Sequence, residues 1–295
     1  MKIFIVYTVL VALFLVSCHS FEGDQEIPSY VRIVDGSLAN NPDIDEGELD
    51  IGIDDVSVYL ENELLGTFEL PVNVPVLETG KNTIKVKGGV VLNGISSMRA
   101  SYPFFETFEQ EVDLHIDSVL MLTPVFRYYS STIFPWKENF ENGNSSLIGT
   151  SPNGAAMQFV ANSENDTIYG AISGVVYLDE QHPQADLMTN YQQGIGYTVP
   201  QNNIPVFIEL SYHTNNEFGI GIVVNSNGVQ TERPIVAIRP KGDIWNRIYV
   251  NLTPVLQEFS NIDYINILFH ATLDEGIDDA KIFLDNMKLV TKEID

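Results

Sequence analysis

Along most of the chain, short runs rich in Val, Ile, Thr, Tyr and Phe alternate with polar residues and are cut by Gly, Asn, Asp and Pro. An apolar side chain at every second position puts one face of an extended strand against a core, so this pattern predicts an all-β protein. Tyr30 to Val34 is the first expected strand. Val56, Val58 and Leu60 alternate, Glu61-Asn62-Glu63 turns the chain, and Leu65 to Leu70 returns as a hairpin partner. Pro71 and Pro75 flank a short extended piece. Thr83-Ile84-Lys85-Val86-Lys87 and the series Phe108, Gln110, Val112, Leu114, Ile116 predict two more strands. Residues 29–125 therefore read as a β-sandwich compatible with an immunoglobulin-like topology, without the disulfide that marks many such domains.

A boundary is expected between Pro124 and Trp136. Beyond it, apolar strands are predicted around Ala155 to Val160, Ile168 to Leu178, Val206 to Tyr212, Gly219 to Val224, Ile235 to Ile238, Ile248 to Leu252 and Ile265 to His270, with Lys281 to Leu289 closing the series. So many strands over residues 137–292 predict two packed sheets, a C-terminal jelly roll. Two domains also suit the length, since 295 residues is long for one core.

The N-terminus departs from the β pattern. Ile3 to Val16 is almost unbroken apolar sequence after Lys2, and it stops short of the roughly 20 residues that a membrane-spanning helix needs. A basic start, a short apolar core and small residues before a cut describe a secretory signal over residues 1–17. Leu15-Val16-Ser17-Cys18 resembles a bacterial lipobox, which implies cleavage before Cys18 and lipidation of that cysteine. Cys18 is the only cysteine in the chain, so it has no internal disulfide partner. Residues 18–28, with Glu22, Asp24 and Glu26, then read as an acidic tether. Val58 to Asn62, Leu65 to Pro71, Pro75-Val76-Leu77, Asn93 to Ser97 and Tyr102-Pro103-Phe104 resemble stretches of uncharacterised Bacteroidetes-type outer-membrane lipoproteins. That resemblance implies an outer-membrane address, on the periplasmic face or the cell surface.

Charge narrows the partners. Forty acidic against 15 basic side chains give a formal net charge of −25, and loss of Lys2 with the leader makes it one unit more negative. Such a field repels nucleic acid and anionic lipid, so nucleic-acid binding is excluded. Acidic residues crowd from Asn40 to Asp55 (Asp43, Asp45, Glu46, Glu48, Asp50, Asp54, Asp55), where they form either a solvated loop or ligands for Ca²⁺. Gly47 falls on the fifth position counted from Asp43, the wrong register for an EF-hand.

The catalytic inventory is largely empty. There is no Gly-x-Ser-x-Gly elbow, His-Glu-x-x-His pair, Walker loop or Cys-x-x-Cys pair. Gly194-Ile195-Gly196 and Gly219-Ile220-Gly221 lack the third glycine of a dinucleotide loop, and His19, His115, His182, His213 and His270 show no metal-ligand spacing. A glycosidase would need two carboxylates at a separation that sequence does not define.

Phe140-Glu141-Asn142-Gly143, Trp245 just before a strand and the closing Leu284-Asp285-Asn286 together resemble the galactose-binding-like jelly rolls common among carbohydrate-binding modules. The resemblance implies non-catalytic glycan binding and a structural Ca²⁺ joining the opening segment to the last strand, with Glu141 and Asp285 as its ligands. Sugar recognition calls for aromatic faces beside amides and carboxylates, which makes Tyr191, Tyr197, Tyr212, His213 and Trp245 candidates, Tyr191 first among them. Asp117-Ser118-Val119 and Asp166-Thr167-Ile168 resemble an O-glycosylation motif of exported Bacteroidetes proteins. The expected protein is thus a lipid-anchored envelope protein with a non-enzymatic recognition domain. The alternatives are an assembly role, docking onto other envelope proteins, and a glycoside hydrolase.

Overall fold

A computed structural model describes residues 27–50, 52–162, 170–190 and 194–293. Cys18, Thr167 and Tyr191 lie outside the described residues. The fold is all-β and built from β-sandwich sheets.

The first half contains β1 (Ser29–Ile33), β2 (Ser37–Leu38), β3 (Asp55–Leu60), β4 (Glu63–Glu69), β5 (Val72–Val76), β6 (Gly80–Val91), β7 (Arg99–Ser101), β8 (Phe108–Leu114), β9 (Val119–Leu122) and β10 (Val125–Phe126). Its larger sheet has the order β4-β3-β6-β7, with β8 also paired to β6. The β3–β4 hairpin turns at Glu61, whose φ of 53° is the left-handed conformation of a tight turn. A three-stranded sheet, β5-β1-β9, packs with it, and here β1 and β9 run parallel. β2 and β10 form a second parallel pair. The inward positions of the alternation, Val31, Ile33, Val56, Val58, Ile84, Val86 and Leu122 among them, fill the core between these sheets.

The second half contains β11 (Thr132–Glu138), β12 (Leu147–Gly149), β13 (Met157–Ala161), β14 (Ile172–Leu178), β15 (Gln184–Thr189), β16 (Phe207–Thr214), β17 (Phe218–Ser226), β18 (Val229–Ile238), β19 (Asn246–Asn251), one turn of helix α1 (Thr253–Leu256), β20 (Ile262–Thr272) and β21 (Ala280–Lys292). Six strands make one sheet, β13-β14-β21-β16-β19 with β11 on β21, and five make the other, β12-β15-β20-β17-β18. β11 already belongs to this sandwich, so the second unit begins at Thr132. Ile265, Ile267, Phe269 and Ala271 of β20, and Phe218, Ile220, Ile222 and Val224 of β17, point between the sheets. Their polar and glycine neighbours face outward, as the period of two requires.

The two halves share buried ground. Phe207, Tyr249 and Val290, on the outer face of the six-stranded sheet, belong to the core of the first half. There they meet Tyr102 and Phe104, with Tyr102 and Tyr249 ring centroids 4.8 Å apart in an edge-to-face arrangement. Beside these rings, Arg247 reaches Glu209 at 2.5 Å and Asp50 at 3.2 Å. The three side chains are only 3%, 0% and 6% exposed. Tyr102 and Tyr128 donate their hydroxyls to Glu209, Ser211 donates to Asp50, and Lys288 donates to the carbonyl of Glu48. Burial and the Glu209 charge push both tyrosines well above the ordinary phenol range, so they stay protonated donors. Burial works against the Arg247 charge, but Asp50 and Glu209 outweigh it and hold the guanidinium ionised.

The acidic stretch from Asn40 to Asp55 is divided: Asp43, Asp45, Glu48 and Asp54 are exposed, as a solvated loop requires, whereas Glu46, Asp50 and Asp55 are buried. Its side chains are distributed among separate partners. The Glu46 carboxylate accepts from the Asn41 N–H and the Asn40 amide, Asp50 is held by Arg247, Asp45 pairs with Lys137, and Asp55 pairs with Arg99. Among the described residues, no group of three or more His, Cys, Asp or Glu side chains is arranged to hold a metal.

Candidate functional site

A trough of about 850 Å³ lies on the outer face of the five-stranded sheet. β17 forms its floor with Gly219 and Gly221, where a larger side chain would stand in the groove. Opposite the Ile220–Gly221 step, β18 carries one extra residue, Ile235, a bulge that bends β18 along the groove. A Cβ added at Gly221 would come within 2.7 Å of the Arg233 carbonyl, so close backbone approach requires glycine. At Gly219 the nearest atom would be 3.6 Å away, an ordinary contact. Glycine at this position leaves open space rather than relieving strain.

The trough combines hydrogen-bonding groups with an apolar side. The His270 ring nitrogen Nδ1 lies 2.6 Å from Asp186 Oδ1, and Thr272 Oγ1 lies 3.4 Å from Nε2 of the same ring. Both arise from the alternation: Asp186 and His270 are register partners on β15 and β20, pointing away from the core. Glu217 is fixed by Arg239 at 2.7 Å, and its backbone N–H donates to Asp274 at 2.8 Å. Pro234, Ile235, Val236 and Leu268 supply the apolar wall. Carboxylates, an imidazole and hydroxyls along an open apolar groove suit a neutral, polyhydroxylated ligand.

Of the sugar candidates from the sequence, Tyr197, Tyr212, His213 and Trp245 do not line this trough, and Tyr191 lies outside the described residues. Tyr212 is a core residue, packed edge-to-face on Phe218 at 5.7 Å. Tyr197 is half-buried against Trp136. Trp245 and His213 lie on the outer face of the opposite sheet with Phe283, and His213 meets Asp243 at 2.8 Å. Sequence reasoning missed His270, Asp186 and the Gly219/Gly221 floor. The available signal was Gly219-Ile220-Gly221, two glycines at strand spacing opposite an alternating Leu268-Phe269-His270.

Glu141 and Asp285 are brought together at the start of β14. Glu141 Oε1 accepts from the N–H groups of Ala171 and Ile172 at 2.8 and 2.9 Å, and the Ser173 hydroxyl donates to Asp285. Gly170 lets Glu141 in, since a Cβ there would fall 2.2 Å from Oε1. Asp285 is fully buried. Burial raises its pKa to about 7, the Glu141 charge adds to the rise, and the Ser173 and Asn286 hydrogen bonds oppose it. Beside it, the buried Asn286 amide has no hydrogen-bond partner among the described residues for either of its polar atoms. The Ser173 hydroxyl also lies 2.7 Å from the Asn162 amide oxygen, so Glu141, Asn162 and Asp285 are gathered around the start of β14.

No protein-family model and no curated protein matches the sequence. Among solved structures, similarity is found to the xylan-binding domain CBM22-2 of Paenibacillus barcinonensis Xyn10C, at 11% identity over 54% of this chain and 99% of that one, with a TM-score of 0.36. A structure titled as TmCBM61 with β-1,4-galactotriose matches at 15% identity over 52% of this chain and 94% of that one, TM-score 0.32. The non-crystalline-cellulose-specific module CBM28 matches at 12% identity over 51% and 90%, TM-score 0.35. These structure neighbours are carbohydrate-binding modules of the jelly-roll β-sandwich kind.

Proposed function

We propose that this chain is a lipid-anchored envelope protein whose second half is a non-catalytic glycan-recognition module, with the ligand seated in the trough on the five-stranded sheet. The observation that carries this reading is the trough itself: an open groove with a glycine floor, an apolar wall and the fixed pairs His270–Asp186 and Glu217–Arg239. A polysaccharide has hydroxyls to meet the polar groups and C–H faces to meet Ile235, Val236 and Leu268. Acidic lining and a strongly negative chain favour uncharged glycans over uronic-acid polymers.

Glu141 and Asp285 are the residues that would hold a structural Ca²⁺ in this reading, fixing the opening of the second half to its last strand. The ion would supply charge to a buried carboxylate pair and would take no part in ligand chemistry.

Affinity electrophoresis of the full chain in gels containing soluble xylan, β-1,4-galactan or hydroxyethylcellulose tests the function. Retardation by one of them, abolished in Gly219→Tyr, is expected. A folded protein that none of these polymers retards, and that instead co-purifies with envelope proteins, would replace recognition of glycans with an assembly role.

A further inference from the structure

The end of the first half where the chain enters carries a cluster of exposed apolar side chains. Ile27, Leu77, Ile116, Val119 and Met121 are each more than half exposed, with Tyr30 beside them. Isolated exposed apolar residues are ordinary on a protein surface; a cluster confined to one end is not. Strand register puts them together. Tyr30 lies between Pro75 and Val119 on the outer face of the three-stranded sheet, and Arg32 lies between Asn73 and Met121. The Asp117 N–H donates to the Pro28 carbonyl at 3.3 Å, which brings Ile116 to the strand entrance, and the pairing of Ser29 with Val76 sets Leu77 there as well.

We infer that this apolar tip rests on the surface of a zwitterionic phospholipid bilayer. The inference depends on the reading of Cys18 as the acylated residue. Two features favour lipid as the occupant. Ile27 is the ninth residue after Cys18, a reach of about 30 Å when fully extended, so an acyl group on Cys18 confines this end of the protein to the neighbourhood of the bilayer surface. The rim of the tip carries Glu78, Asp117 and Arg32, and the whole chain is strongly acidic, which selects uncharged head groups over anionic ones. Apolar contacts at the tip would add to acyl chains, which anchor only marginally one at a time.

The test uses the full chain acylated at Cys18, bound to phosphatidylcholine vesicles and carrying an environment-sensitive dye at Val119→Cys or, as control, at Val229→Cys in the second half. Acylation occupies the native thiol, so each added cysteine labels alone. Blue-shifted emission on vesicles at position 119 but not at 229, reversed by adding Leu77→Asp and Met121→Asp, is the expected result. Flotation with vesicles while position 119 keeps its water-like emission overturns the inference and leaves the anchor intact. Failure to float, with an unmodified Cys18 by mass spectrometry, removes the anchor and the inference together. A concentration-dependent shift at position 119 in Cys18→Ala protein without vesicles overturns it in favour of a second copy of the chain.

Discussion

Replacing Arg247 with methionine should destabilise the whole molecule, because this one side chain neutralises carboxylates contributed by both halves. Methionine keeps a flexible apolar stem and removes the charge, the hydrogen bonds to Asp50, Ser211 and Glu209, and the contact with the Tyr249 ring at 5.6 Å. Removing one partner of a buried ion pair costs about 3–5 kcal/mol, since the remaining charge stays buried without compensation. Here Glu209 keeps the hydroxyls of Tyr102 and Tyr128, and Asp50 keeps that of Ser211, which favours the lower end, about 3 kcal/mol. For a chain of this size that corresponds to a fall in Tm of roughly 6–12 °C. Urea unfolding should be followed both by far-ultraviolet circular dichroism, which reports on both halves, and by fluorescence of Trp136 and Trp245, which lie beyond the first half. The wild type is expected to give coincident transitions, and Arg247→Met transitions that shift and separate. A double-mutant cycle with Asp50→Asn should show strong non-additivity. A loss below about 1 kcal/mol, the range of solvent-exposed pairs, would refute the account of a shared buried junction.

Gly219→Tyr should abolish glycan retardation while leaving Tm nearly unchanged, because a Cβ there meets nothing closer than 3.6 Å; a large fall in Tm would contradict that geometry. Asp285, pushed from its ordinary 3.8 up to about 7 when folded, binds its proton more tightly in the native state. Metal-free protein should therefore lose stability as pH rises from about 4 to about 7, by on the order of 4 kcal/mol, and Asp285→Asn should flatten that slope in urea titrations. If the pair holds Ca²⁺, added Ca²⁺ should raise Tm more at pH 8 than at pH 5 in the wild type and not in Asp285→Asn. Lys288 shows the opposite sign: burial lowers it from 10.5 to about 8, so the native state releases its proton first. Stability should rise between about pH 8 and pH 10.5, and Lys288→Met should remove the rise, as read from the urea midpoint.

Much of the strand content was legible because one-sided burial leaves a period of two. Val56-Ser57-Val58-Tyr59-Leu60 and Phe108 to Leu114 are strands in the structure as the alternation predicts. Pairing was not legible. Nothing in Tyr30 to Val34 announces a parallel neighbour eighty-odd residues away, because partner choice depends on how the sheets close over the core. Glu209 was the least readable position. In Phe207-Ile208-Glu209-Leu210-Ser211 an alternating polar residue implies a solvated face, yet Glu209 is fully buried. That face is covered by Tyr102, Tyr128 and the acidic stretch, whose carboxylates the sequence presents as solvent-facing. The hint was Phe207, an aromatic in the same outward register. The trough was hidden for a different reason: it is made by missing side chains, and a search for aromatic platforms passes over glycines.

Because the first half covers the part of the six-stranded sheet that carries Phe207, Glu209, Tyr249 and Val290, the two sheets of the jelly roll have unequal fates. That part of the six-stranded layer becomes an internal wall, while Phe159 and Tyr177 on the same layer and the whole outer face of the five-stranded layer stay open. Arg247, set where the halves meet, pins the jelly roll to the first half, while His270 and Asp186 stand on its other, five-stranded sheet.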